Sequence, residues 1–204
     1  MTHDIIITLS GSTSSNTGAP IFEVYFQKTS SALLVSGSTT QSNQKVTLKS
    51  NVNQAIVATK NGNFLIYWYG DGGSNTQGLY SNLFDQNGLA QGGDIEMSTN
   101  AYQHFGVSAV LLENNSDKIR VLSTYLNTDN SQFKIITAET NLLGVVRSGS
   151  YIEVSLTERQ QLIHGMMLAL SDGNFIVCCP EMLPIGNGFP DSVIYCQLYD
   201  NEGG

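Results

Sequence analysis

Charge is what this sequence has least of. Lysine, arginine, aspartate and glutamate together make up 13% of its 204 residues, where an ordinary soluble domain carries about 25%. Basic residues are the scarcer kind, 9 against 17 acidic, and the net charge is -8. That balance argues against a phosphate backbone or an anionic membrane as the main partner, so nucleic acid is not expected. Long apolar runs are missing as well. Nothing approaches the ~20 residues of a membrane crossing, and the opening MTHDIIITLSG has neither the basic start nor the longer apolar core of a signal peptide. Membrane insertion is not expected.

Cysteine is nearly absent. Cys178, Cys179 and Cys196 are an odd number, and two are neighbours in FIVCCP, which reads as a buried strand. A disulfide framework is not expected. A bridge from Cys196 to one of the others is geometrically conceivable if their strands adjoin, but the preferred reading is small buried side chains. The histidines His3, His104 and His164 stand apart, so no zinc spacing exists and neither metal nor cofactor is expected. A nucleophile elbow, a phosphate loop, a dinucleotide fingerprint and a zinc-protease helix are all lacking.

What the sequence does contain is Ser, Thr, Asn, Gln and Gly in quantity, and a repeat. The stretch NGNFLIYWYGDGGSNTQGLYSNLFDQNG at 61–88 returns in weaker form as DGNFIVCCPEMLPIGNGFPDSVIYCQLYDNEG at 172–203. Aligning the residue that opens the most apolar strand after each turn gives Phe64, Ile119 and Phe175, 55 and 56 residues apart, and Ile5 lies 59 residues before Phe64. Within each unit the short apolar or alternating runs keep their order. Three runs in the first unit, four in the second and third, and three in the last predict fourteen strands. Residues 157–170 are the one stretch that resembles a helix, and alignment with the other units makes it strand. KNGN, SDGN, DQNG and DNEG supply turn residues that tolerate positive φ.

Four-stranded antiparallel meanders that cannot bury both faces alone pack against their successors, and radial packing of such sheets is a β-propeller. The fold class is therefore all-β, a β-propeller of about four repeats of ~55 residues, with incomplete terminal blades. One domain is expected over 1–204, with repeats at approximately 1–51, 52–100, 101–158 and 159–204. A closed four-bladed ring, a ring completed by another copy of the chain and a piece of a longer array all fit, and the closed ring is preferred.

Asn63, Phe64, Trp68, Tyr80, Phe84, Asp85 and Gly88, with Asn174, Phe175, Tyr195, Tyr199, Asp200 and Gly203, resemble the repeats of about fifty residues found in propeller regions of large bacterial secreted and surface-associated proteins. The resemblance implies a fold and transfers no site.

In propellers the connections from second to third strands share one rim with the connections between blades. Here the former are long and dissimilar: 10–20, 70–78, 127–132 and 180–191. Loops presented on a rigid scaffold carry binding residues. Tyr69, Asp71 and Asn75 in YGDGGSN are suited to a sugar ring, Asn187 and Asp191 come from the last connection, and Tyr102, His104 and His164 precede opening strands. Met182, Leu183, Ile185 and Phe189, among prolines, suit a protein contact or a plug. The expected function is a non-catalytic module that binds a partner protein or a surface glycan, the alternative being a structural subunit of a homo-oligomer. Third comes a glycoside hydrolase or lyase using carboxylates such as Asp71 and Asp191. Low charge favours an extracellular or surface-associated setting, and free thiols point the other way.

Overall fold

The computed structural model describes residues 5–14, 20–29, 40–41, 54–71, 77–99, 103–112, 118–127, 132–154, 165–182 and 192–204, the first three ranges as backbone alone. The chain divides into two compact units, Met1–Asn100 and Ala101–Gly204. The first unit holds two sheets. One has the order β1-β2-β3, with β1 Ile5–Ser14, β2 Pro20–Thr29 and β3 Thr40–Gln41. The other has the order β4-β5-β6-β7, with β4 Gln54–Ala58, β5 Phe64–Asp71, β6 Gln77–Phe84 and β7 Ile95–Thr99. In the second unit β8 Gln103–Leu111, β9 Ile119–Asn127, β10 Gln132–Thr140 and β11 Ile152–Val154 form one sheet in sequence order. The last sheet follows with β12 Met166–Ala169, β13 Phe175–Met182 and β14 Ser192–Tyr199. Every paired neighbour is antiparallel. Fourteen strands and no helix thus occur among the described residues, in the expected grouping of three, four, four and three. Of the helix-like stretch, 157–164 lies outside the described residues, and its end is β12.

The residues that set the repeat take equivalent places. Phe64, Ile119 and Phe175 each open the second strand of a sheet and are 2%, 0% and 0% exposed. Each faces the last residue of the third strand: Phe64 opposes Phe84, and Phe175 opposes Tyr199. Both ring pairs stack, at 5.4 Å and 5.3 Å between centroids. Cross-strand pairing of aromatics recurs because large flat side chains at directly opposed positions shield each other and the turn beside them. From Phe64 to Tyr69 every residue of β5 is buried, so both faces of this strand are covered. Its unbroken apolar run, with Trp68 stacked on Tyr80 at 6.1 Å, is the pattern of a strand without a wet side.

In the second unit the two sheets meet face to face. Leu112, Leu122, Ile135 and Val154 of the β8–β11 layer interlock with Met167, Phe175, Val177, Cys179 and Tyr199 of the β12–β14 layer. The Met167 amide also donates to Ser108 Oγ at 3.2 Å. Truncating a residue such as Phe175 in this interior costs about 3–5 kcal/mol. The opposite face of β12–β14 is apolar too, and Met166, Leu168, Ile194 and Leu198 are exposed on it.

That outer face carries a correction. Cys178 and Cys196 are directly opposed in the β13–β14 register and form a disulfide, whereas Cys179 is buried and free. The adjacency of two cysteines had argued against a bridge. In a strand, neighbours point to opposite faces, so Cys178 meets Cys196 on one side and Cys179 enters the core on the other. Burial there pushes the Cys179 thiol up to about 12.

Two families of turn close the hairpins. Asp85, Asn141 and Asp200 each begin a turn whose fourth residue is a glycine at φ of 82°, 83° and 97°. In each, the side-chain Oδ1 accepts backbone amides two and four residues on, so the carboxylate or amide replaces a backbone acceptor. The turns at Thr59–Asn63 and Leu170–Asn174 form the second family, in which Asn61 and Asp172 accept the amide two residues on.

Candidate functional site

The two turn families lie at one end of their sheets, and the second-to-third connections leave from the other. Tyr69, near that far end of β5, is buried at 2% exposure. Asp71 closes β5 opposite Gln77, and Met182 closes β13 opposite Ser192. His104 lies in β8 opposite Tyr125, where the register slips before Gly106. This bulge falls where β8 begins, β9 ends and β10 begins, and such irregularities bend a strand and redirect side chains. The side chains of Asp71, His104 and Met182 lie outside the described residues, as do Asn75, Tyr102, His164, Leu183, Ile185, Asn187, Phe189 and Asp191 entirely.

The described residues form a cleft of about 150 Å³ at the turn end of the second unit. It is built from four segments. Arg120 comes from β9, Glu139 sits opposite it on β10, residues 147–150 and Ile152 come from the β10–β11 connection and β11, and Glu202 comes from the last turn. Arg120 is 1% exposed. Its guanidinium lies 5.3 Å over the Phe175 ring. Nη1 donates to the Ser150 carbonyl and Nη2 to the Asn201 carbonyl, both at 3.3 Å. A buried arginine is tolerated only with such compensation.

Glu139 supplies the counter-charge. Its carboxylate lies 3.2 Å from Arg147 Nη1, 3.6 Å from Lys118 Nζ and 3.7 Å from Arg120 Nη2. Lys118 also pairs with Glu202 at 2.7 Å, tying the last turn to the β9 entrance. Gly203 packs so closely that a Cβ there would meet Ile152 Cδ1 at 1.9 Å. Desolvation lowers the Arg120 pKa, against the opposing pull of Glu139 and Glu202. Hydrogen bonding and charge from Lys118 hold Glu202 below its ordinary value. Asp200 is lowered chiefly by the amides of Gly204 and Gly203.

Two carboxylates in one cleft invite comparison with a glycosidase pair, and the chemistry separates them. A general acid needs a raised pKa, whereas Glu202 is shifted down. Among the described residues, no group of three His, Cys, Asp or Glu side chains is placed to hold a metal.

The sequence reading missed this cleft. Its signal was Arg120 itself, a charge inside the apolar run IRVL at the repeat position that holds Leu65 in the second unit of the repeat and Ile176 in the last.

No family model and no curated protein matches the sequence. Among solved structures, the chain is similar to the GH93 α-L-arabinofuranosidase of Fusarium graminearum in complex with arabinobiose. The TM-score is 0.53 and the identity 11%, over 93% of this chain and 61% of that one. It is also similar to the α-L-arabinanase of Cellvibrio cellulosa, with a TM-score of 0.52 and 11% identity, over 100% of this chain and 72% of that one. The chain thus spans less than two thirds of the arabinofuranosidase. These likenesses agree with the β-propeller fold read from the repeats, and membership of the secreted bacterial repeat family does not follow from them. They correct the functional expectation. The chain had been read as a non-catalytic interaction module, from its dissimilar connections and the absence of catalytic motifs, or else as a structural subunit, from its incomplete terminal blades. Both similar structures are glycoside hydrolases, a class whose two carboxylates act across a gap and need no contiguous motif.

Proposed function

We propose that the chain processes glycans as a glycoside hydrolase acting on arabinofuranosyl linkages. The observation that carries the reading is the fold likeness, over nearly the whole chain, to two enzymes whose names specify that sugar. The sugar-suited residues on the second-to-third connections add to it. Hydrolysis requires a pair of carboxyl groups about 5–10 Å apart. Asp71 and Asp191 are the candidates, each to be tested singly. Asn75, Asn187, Tyr102, His104 and His164 would hydrogen-bond sugar hydroxyls, and the apolar connection with Met182, Leu183, Ile185 and Phe189 would border the bound chain.

The test is incubation of the full chain with an aryl α-L-arabinofuranoside and with linear arabinan, with products followed by anion-exchange chromatography. Release of arabinose or short arabinans is expected, with Asp71→Asn or Asp191→Asn lowering the rate by about 100-fold or more. Absence of turnover on both substrates, with the protein folded, refutes the proposal.

A further inference from the structure

The last sheet differs from the four-stranded ones at its third strand. β6 and β10 each carry a fourth strand on their outer edge, β7 and β11, whereas β14 pairs with β13 alone among the described residues. One end of β14 is well held. Tyr199 is buried and stacked on Phe175, Arg120 Nη2 donates to the Asn201 carbonyl, and Lys118 pairs with Glu202. Toward Ser192 that support ends: Ile194 is 75% exposed, and Cys196, Gln197 and Leu198 are exposed as well. The disulfide lies within this stretch. At the equivalent rung the four-stranded sheets place Tyr67 opposite Ser81 and Leu122 opposite Thr137, and Ser81 and Thr137 are each backed by a residue of the fourth strand, Ile95 and Ile152. Cys196 has no such neighbour among the described residues, and a covalent bond stands at its rung. The Cα atoms of Cys178 and Cys196 are 4.1 Å apart, the spacing of a non-hydrogen-bonded antiparallel pair. Sulfurs rather than backbone hydrogen bonds therefore join the strands there.

We infer that Cys178–Cys196 is a site of thiol–disulfide exchange with an external dithiol, and that opening it frees the Ser192–Gln197 part of β14 from β13 while the Tyr199 end stays in place. Exposure selects the sulfur attacked. Cys196 is exposed and Cys178 partly covered, and exposed disulfides are the labile ones. A thiolate of the dithiol bonds to Cys196 Sγ, the bond to Cys178 breaks, and Cys178 leaves as a thiolate that takes a proton from water. The reagent's other thiol then closes on its own sulfur and releases Cys196, so the protein is reduced as the reagent becomes a cyclic disulfide. The free cysteine next in sequence does not divert this exchange. Cys179 enters the core from the opposite face of β13, and its thiol is pushed up to about 12, so it is neither placed nor ionised to attack. What the bond restrains follows from its span. Its sequence separation of 18 encloses both ends of the 180–191 connection, Met182 and Ser192, and closing such a loop removes entropy from the opened state. None of this depends on a glycan ligand.

The experiment exposes the full chain, without denaturant, to dithiothreitol, traps thiols with iodoacetamide and maps the alkylated peptides. Alkylation of Cys178 and Cys196 with Cys179 unmodified is expected. Amide hydrogen exchange is then compared between the oxidised and the reduced chain. Reduction is expected to quicken exchange over Ile194–Gln197 by about tenfold or more and to leave Phe175, Val177 and Tyr199 unchanged. A double variant, Cys178→Ser with Cys196→Ser, should show the quickened exchange without any reductant. Should it not fold, the reduced wild type supplies the same comparison. A bond that resists the dithiol in the folded chain overturns the inference, as does alkylation of all three cysteines together, which would mean that opening requires global unfolding. Equal exchange over Ile194–Gln197 in the two redox states overturns it as well.

Discussion

Replacing Arg120 by methionine tests how the second unit is held together. The substitution keeps length and apolar contact with Phe175 while removing the charge. At 3.7 Å from Glu139 Oε2 the gross attraction is about 4 kcal/mol at an effective dielectric of 20, and the desolvation of the guanidinium offsets much of it. What decides the outcome is what remains behind. The carbonyls of Ser150 and Asn201 lose charge-assisted donors, each worth about 1.5–3 kcal/mol, and Glu139 keeps Lys118 and Arg147 as partners. Breaking a buried pair outright costs about 3–5 kcal/mol, so with two cations retained the expected loss is about 3 kcal/mol. In urea this lowers the midpoint by about 1.5 M at an ordinary m-value. Glu139→Gln made in the Arg120→Met background should cost less than in the wild type, the signature of coupled partners. A loss below about 1 kcal/mol, or a gain, would refute the reasoning, because methionine packing would then outweigh the whole network.

Gly203→Ala meets both a φ of +97° and the Ile152 methyl, and should destabilise by about 2–3 kcal/mol in the same assay. Gly149→Ala, at φ +76° with open space around it, should cost only about 1 kcal/mol. Cys179, buried and shifted up to about 12, should resist iodoacetamide in the folded protein and react on unfolding. Its contribution to stability is full below the ordinary thiol pKa and is lost as pH rises through the folded value, by about 1.4 kcal/mol per unit. Flat stability over that alkaline range speaks against burial of the neutral thiol. Asp200 is lowered by backbone amides, so its contribution is present above the ordinary carboxylate range and is lost as pH falls through the lowered value. Asp200→Asn should therefore reduce stability at neutral pH and flatten the acid limb of a pH–stability curve, whereas an unchanged limb would mean that the turn does not depend on the charge.

Strand order was readable because its signals are local. Phe64, Ile119 and Phe175 mark their strands by apolar runs after a turn, and Asp85 and Asp200 announce turns by side chains that reach two to four residues. The disulfide was not readable, because it depends on the β13–β14 register across a long connection. Arg120 was hidden for a related cause: its acceptor on Asn201 is 81 residues away, and no spacing rule links the two. The non-catalytic expectation leaned on the absence of contiguous catalytic motifs, a criterion that cannot recognise glycoside hydrolases, whose paired carboxylates act across a gap.

The turns that start at Asp85, Asn141 and Asp200 close on hydrogen bonds made within five residues. A hairpin finished this way asks little of its neighbours to end cleanly. Gene duplication or loss can then add or subtract one whole sheet at a time, so that relatives of this chain would differ in length by jumps of some fifty-odd residues while single-residue insertions accumulate in the long connections.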